Sequence, residues 1–203
     1  GITVGNALRR VLLSSLPGYA ITSVAIDGVM HEFSTVDGVK EDVTEIVLNL
    51  KGVLLKIYDE DRKTLYVQAE GPCVLKAGDI KTDSSVEIIN KDHVIATLAE
   101  GAKLDMTLTA DTGRGYVSAD KNKQLFEENV LGRIAIDSLY SPVSKVNYTV
   151  DATRVGRELD WDKLTLDVWT DGTLTATEAV SLGSRILIDR LNLFVDLTDT
   201  TSL

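Results

Sequence analysis

The chain has 203 residues, of which 44% are apolar and 26% charged, the balance of a soluble globular protein of one or two domains. Asp and Glu number 31 against 21 Lys and Arg, giving a net charge of −10; so acidic a surface repels phosphate backbones and argues against broad nucleic-acid binding by this chain. No run approaches the roughly 18 apolar residues of a membrane span. Nor is there a signal-peptide pattern, and the first residue is not methionine, so a trimmed fragment is expected. Cys73 is the only cysteine, which excludes an internal disulfide and suits a reducing compartment. His31 and His93 stand outside any spaced Cys/His set, which argues against zinc.

The stretch GITVGNALRRVLLSSLPG opens the chain. Val4, Ala7, Leu8, Val11, Leu12, Leu13 and Leu16 recur at intervals of three and four, which predicts an amphipathic helix with Thr3 or Asn6 as its cap and Pro17-Gly18 as its stop, and with Leu12 and Leu13 on different faces. Arg9 and Arg10 lie about 100° apart in helical projection and flank that apolar stripe. Residues 19–30 are rich in β-branched residues and close on an Asp27-Gly28 turn. A second helix is expected over Glu41–Leu50, with Val43, Ile46, Val47 and Leu50 on one face, Glu41 and Asp42 in the first turn and Lys51 at the end.

The middle of the chain reads as β-rich, with strand candidates VLLKIYD, TLYVQAEG, VEIIN and KLDMTLTAD separated by charged turns such as the one at Asp59–Arg62. From Ser144 the alternation is cleaner. KVNYTVDATRV and KLTLDVWT each alternate apolar with polar residues, as half-buried strands do. Asp171-Gly172 is a turn, Thr175 to Glu178 resembles a capping box, and a helix runs on to about Val195. That helix is apolar around much of its circumference, so it is either deeply buried or shared between its own sheet and a partner, most simply in a symmetric dimer.

Candidate chemistry is sparse. Asp111-Thr112-Gly113 matches the aspartic-protease triplet, and a homodimer could supply the second carboxylate; a strand end followed by a glycine turn accounts for the same residues. There is no GxxxxGK[ST] or GxGxxG phosphate cradle and no Ser/His/Asp set, and His31 and His93 read as ordinary strand or loop residues. Glu127-Glu128 reads as a solvated loop. Gly113-Arg114-Gly115-Tyr116 suggests a tight turn presenting an Arg–Tyr pair, as a bulge or as a binding element.

Taken in order, GITVGNALRRVLLSSLPG, IDGVMHEFSTVDGVKEDVTEIVLNLKG, GRGYVSADKNK, IDSLYSPVSKVNY and WDKLTLDVWTDGT resemble the N-terminal domain of the bacterial RNA polymerase alpha-subunit family, in a firmicute-like form. The resemblance covers essentially the whole chain. It implies an α+β fold in which a discontinuous dimerisation subdomain, residues 1–17 and 143–203, pairs an antiparallel sheet with two long helices and carries an inserted β-rich subdomain, residues 18–142. It also implies a non-catalytic, cofactor-free and metal-free assembly subunit of DNA-directed RNA polymerase, cytoplasmic and nucleoid-associated, which homodimerises and receives the beta and beta-prime subunits. By the resemblance Arg9, Arg10, Glu45, Lys51, His31, Glu32, Arg114 and Tyr116 fall in segments that dock the large subunits. Leu8, Leu12, Leu187, Leu191 and Phe194 would serve the dimer. The family's first β-hairpin would lie upstream of Gly1, and its linker and DNA-binding C-terminal domain beyond Leu203.

Overall fold

A computed structural model of the chain describes residues 1–126 and 131–197. In chain order the elements begin with α1 (Ile2–Ser14), β1 (Pro17–Ile26), α2 (Val43–Lys51), β2 (Leu55–Ile57) and β3 (Lys63–Glu70). Then follow β4 (Cys73–Lys76), β5 (Val86–Ile88), β6 (Val94–Leu98), β7 (Lys103–Arg114), β8 (Tyr116–Val117) and α3 (Ala119–Gln124). The last are β9 (Arg133–Ala135), β10 (Ser138–Leu139), β11 (Val143–Val155), β12 (Glu158–Thr170) and α4 (Ala176–Val195). The fold is α+β with several antiparallel sheets and few helices. It divides into two compact units, Gly18–Tyr140 and Gly1–Pro17 with the chain from Ser141 on.

In the Gly18–Tyr140 unit a four-stranded sheet runs in the order β3-β7-β1-β9, and the pairs β4–β6, β2–β5 and β8–β10 are separate antiparallel ladders. Its core joins Val24, Leu65, Val67, Leu104 and Leu108 of the sheet with Ile46 and Leu50 of α2, all at most 3% exposed. Helix α2 forms because Asp42 caps it, accepting the Glu45 N–H at 2.8 Å, while the three-and-four spacing sends Val43, Ile46, Val47 and Leu50 inward. Glu41 lies outside the expected first turn; its carboxylate accepts the Thr97 backbone N–H at 2.6 Å and hydroxyl at 3.0 Å, which holds the approach to the helix against β6.

In the other unit β11 and β12 form a long antiparallel hairpin. Val146 faces Val168, Tyr148 faces Leu166 and Val150 faces Leu164, so one face is continuously apolar. Helix α1 packs on β11 and on α4, burying Gly5, Leu8, Val11 and Leu12. It starts earlier than the periodicity suggested: Gly1 stands at the cap, and Thr3 and Asn6 are inside the helix with no capping bond from a side chain. Thr175 does cap α4, accepting the Glu178 N–H at 3.1 Å, but the Glu178 carboxylate returns to the Thr175 hydroxyl. Gly183 lets α4 approach α1 closely, since a Cβ there would sit 2.9 Å from Leu12 Cδ2.

Short strands β4, β6, β8, β9 and β10 were not legible as separate elements. Two to five residues give no periodicity, and neighbours distant in sequence make them strands. Among the described residues no helix is long and apolar enough to cross a membrane.

Candidate functional site

The α1 arginines part company. Arg9 turns back on its own unit, its Nε donating to the Val146 carbonyl at 3.3 Å. Arg10 is exposed and enters no ion pair among the described residues. A single step along the helix, about 100° around its axis, separates a charge tied to β11 from one held out to solvent.

The apolar residues expected at a dimer face also divide. Leu8 and Leu12 are 7% and 0% exposed and belong to the unit's interior, Leu12 beside Val143, Val146 and Ala179. Within this chain they leave almost no exposed surface, Leu12 lying against the close approach of α4 at Gly183. Leu187 is half-buried, whereas Leu191 and Phe194 are 59% and 70% exposed. With Ile188, Leu193 and Val195, also exposed, they make the second half of α4 an uncovered apolar surface. The first half is held down around the buried Ala179 and Gly183, and within the second half Arg190 Nη2 still reaches back to Ser15 Oγ at 2.9 Å.

In the Gly18–Tyr140 unit the candidates gather around α2. His31 and Glu32 are exposed on the preceding loop. The His31 ring accepts the Phe33 N–H at its Nδ1, 3.2 Å away, so it stabilises its own turn. The Glu32 carbonyl accepts the Thr44 hydroxyl at 2.9 Å, and the Ser34 carbonyl accepts the Val43 N–H, which pins this loop to the start of α2. Glu45 is exposed on the first turn.

At the other end of α2, Lys51 Nζ lies 3.0 Å from Asp137 Oδ2. The other oxygen of that carboxylate accepts the Ala119 N–H at 2.6 Å. These bonds, the backbone one first, hold the Asp137 carboxyl below its ordinary range, and the Tyr116 hydroxyl adds to the effect. Tyr116 is pushed up in turn, by partial desolvation and then by the Asp137 charge. The structure therefore answers Lys51, at the end of α2, with a carboxylate that sequence reasoning passed over. No local pattern marks Asp137; the signal is the approach of the segment between β9 and β10 to the end of α2. Arg114 ends β7, exposed, and only Gly115 (φ 64°) is the turn between it and Tyr116.

Asp111 is taken up by structural partners. It lies within β7, where Oδ2 accepts from Arg62 Nε at 3.2 Å and Oδ1 from its own neighbour's N–H, that of Thr112. The cavity beside it, about 160 Å³, is walled by Arg62, Thr109, Phe126 and Arg133, and the Arg133 guanidinium stacks on Phe126 at 3.9 Å while donating to Ser23 and Thr109 hydroxyls. His93 is half-buried with Nε2 2.7 Å from the Asn49 carbonyl, at the end of α2. Asp59 pairs with Lys63 and accepts the Asp61 N–H, as a polar hairpin tip does. Among the described residues no group of three His, Cys, Asp or Glu is placed to hold a metal. Glu127-Glu128 lies outside the described residues.

The RNA polymerase Rpb3/RpoA insert domain matches residues 24–141. The chain is 59% identical over 200 residues, 98% of its length, to the DNA-directed RNA polymerase subunit alpha of Limosilactobacillus reuteri, and 56% identical over 202 residues to that of Clostridium botulinum. A third relative of the same description, from Oenococcus oeni, is 59% identical over 199 residues, 98% of this chain. The chain spans 64% of the length of the first two relatives and 63% of the third.

Proposed function

The chain belongs to the RNA polymerase alpha-subunit family, and from that premise we propose that it is a non-catalytic assembly subunit of bacterial DNA-directed RNA polymerase. It homodimerises through the unit built from α1, α4 and the β11–β12 hairpin. It presents the Gly18–Tyr140 unit, together with Arg10, to the two large subunits, and nucleotidyl transfer belongs to the complex.

The observation that carries the dimer is the uncovered half of α4. Scattered exposed leucines are ordinary, but Leu191, Leu193, Phe194 and Val195 are each more than half exposed over five consecutive positions of one helix. A second copy meeting the same face in an isologous contact would bury them on both chains at once. Leu191→Glu and Phe194→Glu place unpaired charge in that contact while leaving the protomer core untouched. Sedimentation at micromolar concentration should show a wild-type dimer and monomeric variants with unchanged circular dichroism. A folded wild type that stays monomeric overturns this reading.

Arg10 is supported as a docking charge by its exposure and its freedom from ion pairs among the described residues. A guanidinium makes bidentate contacts that an ammonium does not reproduce. Arg10→Ala should preserve the dimer and abolish capture of a large subunit in a pull-down; undiminished capture removes Arg10 from the interface. With the protein at −10 overall, direct nucleic-acid binding is not part of the proposed role.

A further inference from the structure

The Asp111-Thr112-Gly113 triplet, which the assembly role does not use, forms one wall of the cavity of about 160 Å³ in the Gly18–Tyr140 unit. Gly113 is needed there for packing. A Cβ on it would lie 2.6 Å from Tyr140 Cε2, so the buried tyrosine ring rests directly against the β7 backbone. Leu125 continues the apolar wall. The charges in this cavity do not balance. Arg62 and Asp111 answer each other, Nε to Oδ2 at 3.2 Å. Arg133, the first residue of β9, enters no ion pair among the described residues. Its Nε and Nη2 donate to neutral hydroxyls, Ser23 Oγ at 3.1 Å and Thr109 Oγ1 at 3.2 Å, and the Phe126 ring covers one face of it at 3.9 Å. A guanidinium carries further N–H donors beyond those two bonds. Partial burial, and then the charge of Arg62, pull Arg133 below its ordinary value. In a chain of net charge −10, the described wall of this cavity therefore keeps one uncompensated positive charge.

We propose that this cavity binds a small aromatic monocarboxylate, with the carboxylate on Arg133 and the ring against Leu125 and Tyr140. The planar fork of a guanidinium matches a carboxylate, and one free positive charge answers one anionic group; a second would face Asp111. Size sets the other limit, since a protein cavity of about 150 Å³ is filled by a single benzene ring. The Phe126 face is already taken by the guanidinium, which leaves the tyrosine side for the ligand. The site stands apart from the assembly role and asks for no partner chain.

Benzoate is the probe, added to the nitrogen-15-labelled full-length subunit. It should move the Arg133 Nε–Hε resonance, identified by its loss in Arg133→Gln, and saturate with a half-effect on the order of 1 mM, as suits so few atoms. Ligand-observed saturation transfer then ranks the competitors. Benzamide keeps the ring without the charge, acetate the charge without the ring, and each should bind about tenfold more weakly than benzoate. An Arg133 resonance that does not move saturably, or benzamide or acetate binding as tightly as benzoate, overturns the proposal.

Two variants move the affinity in opposite directions. Arg133→Gln keeps amide donors for the Ser23 and Thr109 hydroxyls and should weaken benzoate about tenfold. Asp111→Asn keeps an acceptor oxygen for Arg62 or the Thr112 N–H but removes the cavity's negative charge, so benzoate should bind severalfold tighter, which a purely structural arginine would not produce. Full binding by Arg133→Gln is a contrary result, and so is equal tightening by Glu70→Gln at the far end of β3, which would trace the gain to net charge. Should Arg133→Gln fail to fold, Asp111→Asn decides: benzoate binding no tighter than in wild type overturns the site.

Discussion

Helix α2 buries four of its nine residues, Val43, Ile46, Val47 and Leu50, whereas α4 buries only Ala179 and Gly183 of its twenty. Both carry side-chain caps and both are rich in aliphatic residues. The difference is what lies opposite. The Gly18–Tyr140 unit surrounds α2 with residues of several strands and closes on its own core. The other unit gathers Leu12, Leu16, Val143, Val146 and Ala179 into a small core and leaves the second half of α4 bare. Burying a Leu or Phe side chain is worth about 1.5–3 kcal/mol, so one unit has collected that stabilisation within the chain and the other has left part of it uncollected there. A helix's sequence states how apolar it is. Its surroundings state whether that apolarity is core or interface.

The contrast breaks most sharply at matched leucines. Leu108→Ala, at a fully buried site, should destabilise its unit by about 2–5 kcal/mol, read from native-state hydrogen exchange of β3 and β7 in the full chain. Leu193→Ala, at a site 71% exposed, should change the protomer by under about 0.5 kcal/mol in the same measurement made on monomer at high dilution. Equal losses at the two sites would erase the distinction.

Next in size is the small core itself. Gly183→Leu drives a side chain into Leu12 and should cost about 1–3 kcal/mol, seen as faster amide exchange in α1 and α4 with the Gly18–Tyr140 unit unchanged. Caps come third. Asp42→Ala and Thr175→Ala each remove the acceptor of a first-turn N–H and should cost about 1 kcal/mol, each confined by exchange to its own unit.

The smallest effect is acid dependence. The folded Asp137 carboxyl sits below its ordinary value, so its contribution is complete above about pH 4 and is lost as pH falls through the folded value. With one-third of that side chain exposed, solvent screening keeps the contribution under about 1 kcal/mol. Acid unfolding monitored in the Gly18–Tyr140 unit should be less steep below pH 4 in Asp137→Asn; identical wild-type and variant profiles would remove the charge from the account.

Much of the fold was legible because its signals are local. The spacing in α1, α2 and α4 and the alternation of β11 and β12 are properties of ten or twenty consecutive residues, and Thr175 marks its helix start by reaching three residues along the chain, whereas Asp42, expected inside the first turn of α2, is the cap that precedes it. The start of α1 was misjudged because Thr3 and Asn6 are good caps in isolation, yet the helix already runs through them. The β-rich middle was legible in character but not in pairing. Strand β1 lies between β7 and β9, more than 75 residues away along the chain, and nothing in YAITSVAI names those neighbours.

The ordered run of motifs, from the LRR of α1 to WDKLTLDVW of β12, was enough by itself to determine the family, along with the amphipathic helices and the acidic, cysteine-poor character of the chain. Tertiary structure alone decided that Leu12 is interior while Leu191 is exposed, that Arg9 is tied to Val146 while Arg10 is free of ion pairs among the described residues, and that Lys51 is answered by Asp137. The physical reason is the same in each case. Helical spacing and caps arise from bonds a few residues long, whereas burial and charge pairing depend on which distant segment arrives opposite, 86 residues on for Lys51 and Asp137.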